Sequence, residues 1–103
     1  MVKLTILFKH PADEAAFEEA YSANLHLLEA LPGIIRRQAN MVQGGPRGKS
    51  SYYRILELYF QDFAALDAAL TSEAGQAAGR ALMSFAGDVV ELLFVDVFEA
   101  WNP

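Results

Sequence analysis

Four short segments with the side-chain pattern of β-strands constrain this chain more than any other feature. They cover residues 2–9, 34–42, 51–60 and 89–98. In the first segment apolar residues recur at every second position, which is the period of a strand with a buried face. Helical patterns separate the first segment from the second and the third from the fourth, so the predicted order is βαββαβ.

Both helical stretches begin at residues that favour a helix N-cap. Asp13 precedes a run dominated by Ala and Glu, which continues to Leu31 before a Pro-Gly pair. Asp62 opens the second helical region, and Ser72 can cap a further segment inside it. We therefore predict a first helix over about residues 13–31 and a second helical region that is divided near Ser72.

Right-handed βαβ crossovers restrict how these elements can pack. They predict an α+β ferredoxin-like sandwich, in which a four-stranded antiparallel sheet carries two helices on one face. A chain of 103 residues is long enough for a single core, so one domain spanning residues 1–103 is expected.

Apolar residues on both faces of the strands predict a partner. Strict alternation along the third strand places Tyr53, Ile55 and Tyr59 on the face opposite Leu56 and Leu58. Helices cover only one face of such a sheet, and an exposed apolar face usually marks an interface. We expect a twofold homodimer that forms through this sheet face.

Composition excludes several kinds of partner. The chain is 53% hydrophobic with a net charge of −5, so it is neither disordered nor suited to bind nucleic acid. Its N-terminal apolar run is too short to span a membrane and lacks a signal-cleavage site, which makes the cytoplasm the expected location.

Neither a metal site nor a cofactor is predicted. The two histidines lie far apart in sequence, and there is no cysteine. The stretch "GGPRGKS" lies between two strands, so it lacks the strand-to-helix context of a phosphate-binding loop.

Helical spacing decides which polar residues of the first helix point inward. At 100° per residue, Asn24 falls on the apolar side together with Tyr21 and Leu28. His26 falls about 200° away from Asn24, among charged residues. We predict an exposed His26 and an inward Asn24, whose amide either bonds the backbone or offers a ligand both a donor and an acceptor.

Glu57 and His10 are the candidates for acid–base chemistry. By alternation, Glu57 shares a face with Tyr53 and Ile55, the predicted interior of the dimer. A carboxylate there either transfers protons or forms an ion pair with Arg37 or another basic residue of the second strand. His10 lies where the first strand ends, either close to a cleft or solvated.

Several stretches together resemble the EthD family, which is named for ethyl tert-butyl ether degradation and belongs to the dimeric α+β barrel superfamily. These stretches are "KHPADEAAF", "LPGI", "YYRILELYF" and "DFAALDAALTSEAGQAAG". The resemblance covers nearly the whole chain. It implies a single EthD-like domain that forms a dimeric α+β barrel and serves as a small accessory protein in catabolism.

The resemblance breaks on the first helix. The family typically has a His-x-Pro-Leu motif, with its histidine eight residues before the proline of the Pro-Gly turn. Counting back from Pro32 leads to Asn24, and His26 stands where the family has proline. If the family histidine is a ligand or a general base, this chain has lost it, because an amide does not titrate near neutral pH.

Three functions are compatible with these features. In the first, a cleft between helix and sheet binds a small apolar or aromatic metabolite near Asn24, Tyr21, Tyr53 and Arg54. In the second, the chain is a cofactor-independent decarboxylase, isomerase or cyclase acting on an activated carbonyl compound. Glu57 or His10 would then carry the proton and Arg54 would hold an anion.

The third possible function is a structural dimerisation module whose interior is filled by side chains. Whether the chain is an enzyme stays open.

Overall fold

The computed structural model describes residues 1–102 and contains four strands and three helices. Their bounds are β1 Val2–Lys9, α1 Glu14–Glu29, β2 Arg36–Met41, β3 Tyr52–Phe60, α2 Phe63–Thr71, α3 Glu73–Ala86 and β4 Val90–Asp96. The first strand has its predicted bounds, and the other three are slightly shorter than predicted. The α+β class and the order of elements are confirmed.

Side-chain caps define where the helices begin. Asp13 Oδ1 accepts a hydrogen bond from the Ala16 N–H at 3.0 Å, and Asp62 Oδ1 accepts one from the Ala65 N–H at 2.8 Å. Ser72 ends α2, and its hydroxyl accepts the Gly75 N–H at 3.0 Å to begin α3. The second helical region is therefore two helices that meet at Ser72, as its capping pattern predicted.

The four strands form one antiparallel sheet in the order β2-β3-β1-β4. Its central strands, β1 and β3, pair along their whole length, from Val2 opposite Phe60 to Phe8 opposite Arg54. β2 and β4 form the two edges. This is the ferredoxin-like arrangement that the crossover rule predicted.

The core lies between the helices and one face of the two central strands. The largest fully buried side chains come from β1, β3 and α2; they are Phe8, Phe60, Ile6, Leu56, Leu58 and Leu66. An aromatic cluster closes one end of this core, where the Phe8 and Phe17 rings meet edge to face at 5.3 Å. The helix-facing side chains of the edge strand β4 are less well covered, with Leu92 40% exposed and Phe94 59% exposed.

A β-bulge on β3 changes the predicted face of Tyr53. Phe8 pairs with Arg54 but Lys9 pairs with Tyr52, so Tyr53 is an extra residue between them. Its ring contacts Phe17 of α1 at 5.7 Å. The expectation that Tyr53 shares a face with Ile55 and Tyr59 is therefore wrong, because the bulge interrupts the two-residue period on which that expectation depended.

The face of the sheet opposite the helices is open. Cross-strand neighbours place Thr5, Glu57 and Leu93 side by side on it. Lys3 pairs with Glu57, and Leu93 is 51% exposed. This surface combines apolar side chains with a polar network, and we refer to it below as the open face.

Candidate functional site

Of the cavities that border α1, two lie toward the edge strands of the sheet. The larger one, which we call the apolar cleft, lies on the β4 side and has a volume of about 450 Å³. Aliphatic and aromatic side chains from α1, α3, β1 and β4 line it, among them Leu4, Ile6, Leu28, Leu82, Leu92 and Phe94. Gly79 lies at its wall and leaves space there, since a Cβ at this position would meet no atom within 4 Å. The cleft exists because β4 extends beyond the cover that the helices provide.

The smaller cavity lies on the β2 side of α1 and has a volume of about 240 Å³. We call it the arginine trough, because Arg37 and Arg54 both line it. Arg54 is 9% exposed, and its Nη2 donates to Glu18 Oε1 at 2.7 Å. The same oxygen accepts the Tyr53 hydroxyl at 2.8 Å. One carboxylate of α1 therefore holds the two consecutive side chains of the bulge.

These contacts shift the pKa values of Glu18 and Tyr53. The hydrogen bond from Tyr53 and the charge of Arg54 hold the pKa of the Glu18 carboxyl below its ordinary value. Donation to that carboxylate raises the pKa of the Tyr53 hydroxyl. The pKa of Tyr21 is raised as well, in its case by burial, so its hydroxyl stays protonated at neutral pH.

Aromatic rings surround the Arg54 guanidinium. Its Cζ lies 4.2 Å from the Tyr21 ring centroid, 5.5 Å from that of Tyr53 and 5.9 Å from that of Phe17. Such stacking stabilises a cation through the ring faces. It leaves the N–H groups in the guanidinium plane for acceptors, because those bonds point along the plane.

Three of the four residues expected at a ligand lie together, and the fourth does not. Tyr21, Tyr53 and Arg54 meet around Glu18, whereas Asn24 is half-buried and does not line the arginine trough. The Asn24 Nδ2 donates to the Ala20 carbonyl at 2.8 Å, one turn back along α1. Its amide donor is thus used within the helix. His26 is exposed, in agreement with the helical spacing.

The two acid–base candidates lie away from both cavities. Glu57 points to the open face, where it pairs with Lys3 and accepts from Asn40 Nδ2 at 3.5 Å. The ion pair expected between Glu57 and Arg37 is absent. Arg37 faces the helices and pairs with Glu29 of α1 at 2.9 Å, because it stands opposite Leu58 rather than Glu57.

His10 is held at the end of β1 by a neighbouring loop. Its Nε2 lies 2.9 Å from the Ser50 carbonyl oxygen, and its ring packs on Tyr53 at 5.6 Å. The residue is exposed and does not line the apolar cleft.

Within residues 1–102, no group of three or more acidic or histidine side chains lies close enough together to hold a metal ion. None of the helices described there has the length and apolar character needed to cross a bilayer.

Glu18 is the residue at this site that sequence reasoning missed. Its helical position places it near the charged side of α1, and its neighbours along the chain are an aromatic and another glutamate. One signal was present, since Glu18 lies three residues before Tyr21 and so only about 60° from it around the helix. A carboxylate beside an inward tyrosine is in reach of a buried arginine.

Several known proteins are similar to this chain in sequence or in fold. The chain matches no protein-family model. It is 35% identical over 97 residues to a protein of Rhodococcus erythropolis, described as an uncharacterized 11.0 kDa protein in the thcB-thcC intergenic region. That match covers 93% of this chain and 94% of the relative.

A solved structure decides the family. An ethyl tert-butyl ether degradation (EthD) family protein from Bacillus halodurans is 33% identical, with a TM-score of 0.89. The match covers 93% of this chain and 97% of that one. The chain belongs to the EthD family. The resemblance found in the sequence is therefore confirmed.

More distant solved structures share the fold alone. A dimeric ferredoxin-like protein from Jannaschia sp. CCS1 is 20% identical over 94% of this chain and 100% of its own length, with a TM-score of 0.71. SnoaB from Streptomyces nogalater, described as a cofactor-independent oxygenase, is 17% identical with a TM-score of 0.64 and covers 99% of this chain and 94% of its own. The same fold thus occurs in proteins that are described as having different functions or no known function.

Proposed function

We propose that this EthD protein binds a small apolar or aromatic metabolite in the apolar cleft and acts as an accessory protein in catabolism. The observation that carries the proposal is the cleft itself, about 450 Å³ of space lined mainly by apolar side chains, with Gln76 and Arg80 as its polar residues. Apolar pockets of this size are typical sites for small molecules. The ether after which the family is named is a compound of this class.

Burial of apolar surface would drive binding. Leu92, Phe94 and Met83 are each at least 40% exposed at the cleft. A ligand that covers them removes apolar area from water, which contributes roughly 25 cal/mol per Å² before the costs of association. A chain that used its interior only for dimerisation would be expected to fill this space with side chains.

We also propose that the protein is a homodimer that forms through the open face. Leu93 is 51% exposed there, beside the polar network that contains the ion pair of Lys3 and Glu57. Packing against a second copy would cover the apolar side chains and supply polar partners. The description of the Jannaschia structure as dimeric supports a dimeric state.

Catalysis without a cofactor is the second proposal, and it has less support. Neither Glu57 nor His10 lines the apolar cleft, and a general base must lie within hydrogen-bond reach of the proton it removes. Replacing Glu57 with Gln tests this version. It predicts loss of turnover in a variant that still folds and dimerises, and an unchanged turnover would contradict it.

Methyl NMR of a protein with labelled leucine and methionine methyl groups tests ligand binding. Toluene and ethyl tert-butyl ether serve as neutral aromatic and aliphatic probes. We expect saturable shifts at Leu92 and Met83 and none at Leu93, which follows Leu92 in β4 but lies on the open face. Shifts of similar size at all exposed methyl groups would mean that the cleft is not a binding site.

A pair of substitutions at one position provides the control. Gly79→Trp places a large ring in the cleft, and we expect it to weaken probe binding at least tenfold, whereas Gly79→Ala should leave binding unchanged because its methyl group meets open space. Equal affinity in the two variants would refute the cleft as the site.

A further inference from the structure

The arginine trough on the β2 side of α1 is separate from the apolar cleft, and α1 lies between them. Its polar lining includes Glu18, Tyr21, Arg37 and Arg54. Its apolar lining includes Leu25 and Met41. A cavity with apolar walls and a few convergent polar groups is the usual form of a small-molecule site.

Two donor atoms of residues that line this trough are buried and unpaired. Arg54 Nη1 and Tyr21 Oη have no hydrogen-bond partner among residues 1–102, although both residues are more than nine-tenths buried. Most buried polar atoms in proteins have a partner, so each exception calls for an explanation. Both residues line the same cavity, and both atoms can donate. An acceptor from outside the chain would satisfy them together.

The charges around the trough favour an anionic acceptor. Arg54 shares the Glu18 carboxylate with Tyr53, and Arg37 pairs with Glu29 at 2.9 Å. Each of these two glutamate side chains is 41% exposed, so each can rotate into solvent, and an incoming carboxylate would replace the charge that the buried Arg54 loses when Glu18 moves. The arginines offer more N–H groups than the two carboxylates use.

We propose that the arginine trough binds a small organic carboxylate, whose charged group is held by Arg54 and the Tyr21 hydroxyl. Arg37 lies at the same cavity and contributes a second positive charge, while the organic part of the ligand packs on Leu25 and Met41. Glu18 is the competing carboxylate, and it moves outward when the ligand enters. Planar, bidentate recognition of carboxylates is what guanidinium groups do best.

This site does not depend on the apolar cleft, so each proposal can fail alone. The first experiment is a titration with benzoate, followed by backbone amide NMR. We expect saturable shifts at Ser22, Ala39 and Asn40, which surround the trough, and binding that weakens as salt is added. Benzamide, which has the same shape without the charge, should bind at least tenfold more weakly. Equal binding of the two probes, or tighter binding of inorganic phosphate than of benzoate, would overturn the assignment.

Variants distinguish a binding site from a structural ion pair. Glu18→Gln removes the competing charge, and we expect it to bind benzoate at least threefold more tightly. Arg37→Met changes an exposed residue at the trough and should weaken benzoate binding at least fivefold in a folded protein. Unchanged or weaker binding by Glu18→Gln would contradict the proposal. The Gly79→Trp variant should bind benzoate normally, and parallel loss of both probes there would show that they share the apolar cleft instead.

Discussion

At the scale of single residues, the feature that stands out is the one carboxylate that holds two neighbouring side chains. Glu18 Oε1 accepts from Arg54 at 2.7 Å and from Tyr53 at 2.8 Å. The carboxylate links α1 to the bulge in β3. Because the Glu18 pKa is lowered in the folded protein, part of the fold's stability depends on the ionised form.

Glu18→Gln should therefore change how stability depends on pH. Since the folded pKa of Glu18 is lowered, the contribution of its charge is present above the unfolded-state value of about 4.3 and disappears as the pH falls through the folded value. We expect the wild type to exceed the variant in unfolding free energy by less than about 1 kcal/mol near pH 7, because the side chain is partly exposed and solvent screens it.

Urea unfolding between pH 7 and pH 3 measures this difference. The gap between wild type and Glu18→Gln should close at the acid end. Glu19→Gln, on an exposed position of the same helix, controls for the loss of one negative charge. A gap that stays constant over the whole range would show that the ionisation of Glu18 does not stabilise the fold.

At the scale of elements, α3 carries two glycines with different surroundings. A Cβ on Gly75 would lie 2.6 Å from the Leu70 carbonyl oxygen and closer still to that of Ala69, because Gly75 packs against the end of α2. A Cβ on Gly79 would meet nothing within 4 Å. One glycine allows two helices to meet at Ser72, and the other leaves space at the apolar cleft.

Alanine substitutions at these glycines should have opposite effects on stability. Gly75→Ala forces backbone atoms apart and should lower the unfolding free energy by about 1–3 kcal/mol. Gly79→Ala should raise it by up to about 1 kcal/mol, since alanine is the better helix former and meets no obstacle. Chemical denaturation of both variants measures the two effects. A stabilised Gly75→Ala variant would contradict the close helix contact.

The elements could be predicted from the sequence because their signals are local. The capping residues Asp13, Asp62 and Ser72 each begin a helix as expected, and the two-residue period of β1 gave its bounds. The bulge at Tyr53 could not be predicted, because it is defined only by the register between β3 and β1. The helix-facing position of Arg37 likewise depends on pairing with β3, and this information does not lie within its own segment.

At the scale of the whole molecule, β4 presents different surfaces on its two faces. Leu93 lies opposite Thr5 on the open face, whereas Phe94 lies opposite Leu4 at the apolar cleft. The two side chains are consecutive and similarly exposed, at 51% and 59%. They can therefore separate dimer formation from ligand binding.

Aspartate substitutions at these two positions should affect different properties. Leu93→Asp places an unpaired charge in the proposed interface, and we expect it to raise the dimer dissociation constant at least a hundredfold. Phe94→Asp should leave the dimer intact and weaken the binding of toluene. Analytical ultracentrifugation over a range of concentrations measures the first effect. Dissociation of both variants, or of Phe94→Asp alone, would contradict a dimer interface that is confined to the open face.

The position of β4 at the edge of the sheet has a consequence for how the protein behaves at high concentration. An edge strand presents unpaired N–H and C=O groups, and the segment from Val90 to Asp96 is apolar apart from Glu91 and Asp96 near its two ends. These two carboxylates act as gatekeepers that keep other copies from adding a strand. Replacing Glu91 with Gln and Asp96 with Asn should therefore lower the solubility of the folded protein through edge-to-edge aggregation, which light scattering over a range of concentrations measures.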